Sequence, residues 1–407
     1  MGRFIIEGGR SLSGSVRVGG SKNAALPVIF ATLSTRGVSK ISGLSEIGDV
    51  RVALRLIEEQ GAVVERRGDI TLINTEALEY KTPSPALVSL LRASTYLIGS
   101  TLARFGRAEI GAYGGCSFSH RPIDLHILAA ERLGARLSGC ELTAPGLFGC
   151  DLSFPKRSVG ATVNFLIMAA SAEGESTLRG CATEGHIDTL IEYLRSCGAE
   201  IEREGDTVRV RGAQLGGGCV SIPGDPIEAG TYISASLATR GRVRVEGVSE
   251  LELMPLLELL AGAGATVDTN DGITVTGELN RPIEVVATAH PGFPTDLQPL
   301  TAPLMARFFG GSIEDRVWRD RYGYLRELAR LGVCYRISDR GAEIYPSELS
   351  SGSALATDLR GGAACIIASL AARGECEVLS AHTVERGYER LCEKISSIGG
   401  KIIYSEL

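Results

Sequence analysis

Val50-Arg51-Val52-Ala53-Leu54-Arg55-Leu56-Ile57-Glu58-Glu59-Gln60-Gly61-Ala62-Val63-Val64-Glu65-Arg66-Arg67-Gly68-Asp69-Ile70-Thr71-Leu72-Ile73 is the stretch on which the fold turns. Val50, Ala53, Leu54 and Ile57 recur at helical spacing with Arg51, Arg55, Glu58 and Glu59 on the other side, the pattern of an amphipathic helix. Gly61 then supplies a left-handed C-terminal cap. The β-branched run after it predicts a strand, and Arg67-Gly68-Asp69 before Ile70 predicts a hairpin back.

The same cadence returns at Gly134-Ala135, Gly198-Ala199, Gly264-Ala265, Gly332-Val333 and Gly399-Gly400, at intervals of 73, 64, 66, 68 and 67 residues. A second series runs between these turns. Apolar helices are predicted to open near Lys22-Asn23-Ala24-Ala25, Arg92-Ala93-Ser94, Ser158-Val159-Gly160-Ala161, Glu228-Ala229-Gly230, Asp296-Leu297 and Arg360-Gly361-Gly362-Ala363. Their spacings of 70, 66, 70, 68 and 64 residues match the first series. Self-similarity at a fixed period means copies of one supersecondary unit. Residues 24–33, 161–170 and 364–371 are apolar almost all round, so these helices belong inside. Each unit reads as β–α–β–α–β–β; three make a domain and six make two. The predicted fold is an α/β protein of two similar domains of three repeats each.

Composition agrees. A chain of 407 residues with 44% hydrophobic, 22% charged and 5% aromatic residues can bury large cores. A net charge of −6 with no basic run argues against nucleic acid as a partner. No signal-peptide core opens the sequence and no apolar run is long enough to span a bilayer, so membrane insertion is not expected. Ten cysteines without a CxxC pair read as reduced thiols of a cytoplasmic protein.

Lys22, Arg92 and Arg360 stand where helices open, although a cation beside the positive end of a helix dipole is unfavourable by a few tenths to roughly 1 kcal/mol. Helix N-termini with three cations in equivalent places suit phosphate and carboxylate. Asp296, at a fourth opening, is a candidate general base. Residues 111–126 read Gly-Ala-Tyr-Gly-Gly-Cys-Ser-Phe-Ser-His-Arg-Pro-Ile-Asp-Leu-His. Cys116 lies in this Gly-rich loop near His120 and Arg121, where positive charge lowers a thiol pKa; Cys365, between alanine and isoleucine, reads as a small buried hydrophobe. The spacing of Cys116, His120 and His126 fits no usual zinc pattern.

At these residues the chain resembles the UDP-N-acetylglucosamine enolpyruvyl transferases. The resemblance runs from the first strand to the last helix. It rests on Gly20-Ser21-Lys22-Asn23-Ala24-Ala25-Leu26-Pro27, Arg92-Ala93-Ser94, Gly114-Gly115-Cys116, Arg121-Pro122-Ile123-Asp124-Leu125-His126, Ser158-Val159-Gly160-Ala161-Thr162, Phe293-Pro294-Thr295-Asp296, Ala356-Thr357-Asp358-Leu359-Arg360 and Arg386-Gly387-Tyr388-Glu389-Arg390. It implies an inside-out α/β barrel of two three-repeat domains closing on substrate. One domain would be residues 22–224, carrying the cysteine loop 111–122; the other, 1–21 with 225–407.

The resemblance further implies phosphoenolpyruvate and UDP-N-acetylglucosamine as substrates, a role in peptidoglycan synthesis, and no metal or organic cofactor. It places Lys22, Asn23, Arg121 and Arg386 on phosphoenolpyruvate, with Arg360 in support. It places Arg92, Arg121, Pro122, Ile123, Asp124, Leu125, Lys156, Arg157, Ser158, Val159, Asp296 and Val317 around the nucleotide sugar. Cys116, Asp296 and Lys22 would be catalytic, and Cys116 the thiol that fosfomycin alkylates. Tyr113, His120, His186 and Arg319-Asp320-Arg321 depart from the family pattern. The related transferase acting on shikimate 3-phosphate lacks the Gly-Gly-Cys loop, and a non-catalytic paralogue would not need Lys22, Cys116, Asp296 and Arg386.

Overall fold

The computed structural model describes residues 2–111, 113–114 and 121–406. These divide into two compact units. The central unit holds the described residues from 20 to 223; the terminal unit holds residues 2–19 and 224–406. Cys116 and His120 lie outside the described residues.

In each unit the long apolar helices form the interior. In the central unit these are Lys22–Ala31, Leu97–Phe105 and Val159–Ala169; in the terminal unit, Pro226–Ala238, Gln298–Arg307 and Leu359–Ala371. Every residue from Ala161 to Ala169 and from Leu359 to Leu370 is buried, as all-round apolarity requires. The helix before each glycine turn buries only one stripe: Gly48–Glu59 buries Val50, Ala53, Leu54, Leu56 and Ile57 and leaves Arg51 and Arg55 exposed. All six glycines of the cadence have positive φ, between 89° and 114°. Two-residue hairpins follow as expected: Arg67 pairs with Ile70, and Glu204 with Thr207.

Strand pairing is less regular than the sequence period. In three repeats the opening strand runs parallel to the next strand of its own repeat: Asp151–Ser153 beside Glu175–Arg179, Ile283–Ala287 beside Gly311–Asp315, and Ser353–Leu355 beside Glu375–Leu379. Two repeats borrow it. Val38–Ser42 takes Cys219–Ser221, and Arg242–Glu246 takes Ser13–Arg17. In the last sheet Gly2–Glu7 inserts between Glu375–Leu379 and Lys401–Glu406. The second repeat departs from the βαβαββ expectation: its sheet has three strands among the described residues, and its first helix opens as the 3-10 turn Arg92–Tyr96.

The chain leaves one unit after Gly19 and returns after Pro223. In the central unit Ser21 N donates to Pro223 O at 2.7 Å. In the terminal unit Asp225 N donates to Gly19 O at 2.9 Å, while Gly19 N donates to the buried carboxylate of Glu228 at 2.8 Å. A side chain cannot replace the glycines here: a β-carbon on Gly20 would lie 1.8 Å from Gly43 O, and one on Gly224 1.9 Å from Gly247 O.

Candidate active site

The sequence-predicted residues fall into two clusters, one in each unit. In the central unit Lys22 is the first residue of its helix and Asn23 the second, and no side chain caps that end. The Lys22 ammonium lies 3.4 Å from Asp49 Oδ2, the lysine side chain 14% and the aspartate 4% exposed. Arg92 Nη2 donates to Arg121 O at 2.6 Å. Burial, and then the positive charge of Arg121, hold the Arg92 pKa below its usual value. Burial also raises Tyr96 to about 12 and raises Tyr113, so both stay neutral hydroxyls beside this charge.

The helix Asp124–Arg132 begins inside the Arg121–Leu125 stretch; Arg121 and Ile123 are half-buried, Pro122 and Asp124 exposed, and Leu125 buried. Ser158 caps the helix Val159–Ala169, its hydroxyl accepting from Ala161 N at 3.3 Å. Lys156 is exposed, and Arg157 lies 3.3 Å from Asp206.

In the terminal unit Asp296 stands just before the helix Gln298–Arg307. Its Oδ1 accepts from Arg321 Nη1 at 2.7 Å and its Oδ2 from Arg360 Nε at 3.3 Å. The two arginine side chains are only 4% and 1% exposed. Burial alone would lower both pKa values; Tyr388, Asp296 and Asp225 around Arg360, and Asp296 and Asp358 around Arg321, outweigh it and raise them. Asp358 caps the helix Leu359–Ala371, accepting from Arg360 N at 3.0 Å and Gly361 N at 3.1 Å. The Nη1 and Nη2 atoms of Arg360 are buried without a hydrogen-bond partner among the described residues. Val317 is held by a turn in which Asp315 Oδ1 accepts from Val317 N at 2.9 Å and Trp318 N at 2.7 Å. Arg386 follows the short helix Ala381–Glu385 and is half-buried.

The structure thus brings Asp296 and Arg360 together, and Arg92 and Arg121 together. It also adds residues that sequence reasoning passed over. Arg321 gives Asp296 a shorter bond than Arg360 does, and its one sequence signal is its place in the divergent Arg319-Asp320-Arg321 segment. Asp358 and Tyr388 were visible only as parts of longer motifs; an aspartate just before an apolar helix is a cap signal that could have found the first. Among the described residues no group of His, Cys, Asp and Glu is arranged to hold a metal ion. Chemically, the central cluster offers cations and helix amides to anions, and the terminal cluster offers one oriented carboxylate.

Residues 6–395 match the model of the EPSP synthase (3-phosphoshikimate 1-carboxyvinyltransferase) family, and the chain belongs to this family of enolpyruvyl transferases. Within it, the chain is 38% identical to the UDP-N-acetylglucosamine 1-carboxyvinyltransferase of Chlorobaculum parvum, over 99% of this chain and 98% of that one. It is also 38% identical to UDP-N-acetylglucosamine 1-carboxyvinyltransferase 3 of Caldanaerobacter subterraneus, over 99% of both. Two solved structures share the fold: the enolpyruvyl transferase NikO from Streptomyces tendae (TM-score 0.87, 24% identity, 99% of both chains) and EPSP synthase from Acinetobacter baumannii (TM-score 0.73, 19% identity, 100% of both chains).

Proposed function

We propose that the protein transfers the enolpyruvyl group of phosphoenolpyruvate to the 3-hydroxyl of UDP-N-acetylglucosamine and releases inorganic phosphate. The observation that carries this reading is identity of 38% over essentially the whole length of transferases named for that substrate. The cationic helix openings of the central unit support it, since both substrates are anions.

The reaction is an addition followed by an elimination. Cys116 donates a proton to C3 of the enol while the sugar 3-hydroxyl, losing its own proton, bonds to C2. The tetrahedral adduct then loses a proton from C3 and expels phosphate as the C2–O bond to it breaks. Lys22, Asn23, Arg121 and Arg386 hold phosphoenolpyruvate, with Arg360 in support, and offset the charge of the leaving phosphate. Arg92, the 121–125 stretch, the 156–159 stretch and Val317 hold the nucleotide sugar. Asp296, aimed by Arg321 and Arg360, takes the hydroxyl proton. The two compact units correspond in this reading to the two catalytic domains. No helix among the described residues is long and apolar enough to cross a membrane; the reading places the enzyme in the cytoplasm at the committed step of peptidoglycan synthesis, with the cell-shape and division roles that follow.

Phosphate release that requires both phosphoenolpyruvate and UDP-N-acetylglucosamine is the direct test; release with shikimate 3-phosphate instead would overturn the assignment. Fosfomycin should alkylate Cys116 and leave the exposed Cys140, Cys219 and Cys334 unmodified. Peptide mapping checks this, and an adduct on any of those three would show the loop to be misread. Cys116→Asp should retain substantial turnover because a carboxylic acid also donates a proton. Cys116→Ser should lose most of it, a hydroxyl being a far weaker acid.

A further inference from the structure

His126 stands outside the residues assigned above, yet its surroundings specify its chemistry. The ring is 4% exposed and sits between two inner helices of the central unit. Asn164, fully buried, reads it out. Asn164 Oδ1 accepts from Gly99 N at 2.8 Å, and its Nδ2 donates to Thr95 O at 3.0 Å and meets His126 Nδ1 at 2.6 Å. Turning the amide over would set its NH2 against the Gly99 N–H and its oxygen against the Thr95 carbonyl, two like-for-like contacts in a buried place. The orientation is therefore determined, Nδ1 must accept, and the proton of a neutral imidazole sits on Nε2. Burial, and then the charge of Arg92, lower the His126 pKa to about 4, so the ring is neutral at physiological pH.

The Nε2 atom has no hydrogen-bond partner among the described residues. It lies 3.0 Å from where a β-carbon on Gly160 would stand, against the first turn of the helix Val159–Ala169. The Ser158 hydroxyl caps Ala161 N, whereas the amides of Val159 and Gly160 have no acceptor within the helix. No acidic residue occupies that first turn. An oriented N–H on a buried ring beside a helix N-terminus is a donor set for an anion.

We infer that His126 is a positioning residue of the nucleotide-sugar site: a neutral donor whose Nε2–H binds a phosphate oxygen of the diphosphate seated on this helix N-terminus, with Asn164 fixing the tautomer. This rests on the functional reading above and deepens it. A neutral donor adds no charge to a cluster where Arg92 and Arg121 already repel each other.

The test is calorimetric titration of UDP, uridine and UDP-N-acetylglucosamine into the protein and into His126→Phe and His126→Gln. The phenylalanine variant should bind UDP about 10- to 100-fold more weakly, the range for a hydrogen bond to a charged group, and bind uridine unchanged. The glutamine variant, which keeps a donor, should recover part of the loss. In turnover the loss should appear in KM for the nucleotide sugar and not in kcat. Unchanged UDP affinity, or an equal loss for uridine, would overturn the inference while leaving the proposed reaction standing. Failure of the unaltered protein to bind UDP-N-acetylglucosamine would overturn the proposed reaction itself. Nitrogen-15 spectra of the unaltered protein give a readout that needs no variant: His126 should show a protonated Nε2 and a bare Nδ1, and the Nε2 signal should move on adding UDP. The opposite tautomer, or a silent Nε2, would refute it.

Discussion

The central and terminal units share one repeat but differ where their inner helices open. In the terminal unit two openings carry their own carboxylate caps, Asp225 and Asp358, and Glu228 adds an acid in the first turn. Its arginines are turned onto Asp296. In the central unit none of the three openings has an acid in its first turn, and Lys22 and Arg92 stand at two of them. One unit offsets two helix dipoles with acids at the helix openings and turns two arginines onto a carboxylate; the other has no acid in the first turn of its openings, and Lys22 meets a carboxylate, Asp49, only from a neighbouring helix. The same fold therefore carries opposite electrostatic designs, and cations in the two units should answer differently to removal.

The largest effect belongs to Lys22. Lys22→Ala should reduce kcat/KM by roughly 10²–10³-fold or more and abolish phosphoenolpyruvate binding while the protein stays folded; steady-state kinetics beside circular dichroism check this, and turnover within a few-fold of normal would break the contrast. Asp296→Ala should behave oppositely in stability. It leaves Arg321 and Arg360 buried without their shared partner, so unfolding should be easier by about 3–5 kcal/mol in addition to lost activity. Denaturant unfolding reads that difference.

The third test uses pH. The His126 pKa is lowered in the fold from 6.5 to about 4, so between these values the unfolded chain binds the extra proton. Its contribution to stability is complete above about pH 6.5 and is lost as pH falls to about 4, by about 3 kcal/mol. Unfolding curves of His126→Gln over the same range should be flatter by that amount. The smallest effect is expected at Arg92. Because its charge is disfavoured by burial and by Arg121, Arg92→Met should leave the melting temperature unchanged or raise it, a gain of at most about 1 kcal/mol, while weakening nucleotide-sugar binding. A clear loss of stability would mean that the central cations are structural after all.

The sequence by itself determined the features whose causes are local. The six glycine turns, the two-residue hairpins after Arg67 and Glu204, and the split between one-stripe and all-apolar helices each depend on a few adjacent residues, and each is legible by spacing. So were Lys22, Arg92 and Arg360 at helix openings, because cap position and charge are read along the chain. What only the tertiary structure decided is which distant pieces meet. Val38–Ser42 has alternation enough to be a strand, but nothing in it specifies Cys219–Ser221 as its parallel neighbour, since backbone hydrogen bonds carry no partner identity. Nor does Arg321, in a loop of other charges, announce Asp296 as its partner, or Asn164, inside an apolar helix, the imidazole it orients. Those pairings are settled by packing: once the inner helices are buried, each polar group among them must find the partner that burial leaves within reach.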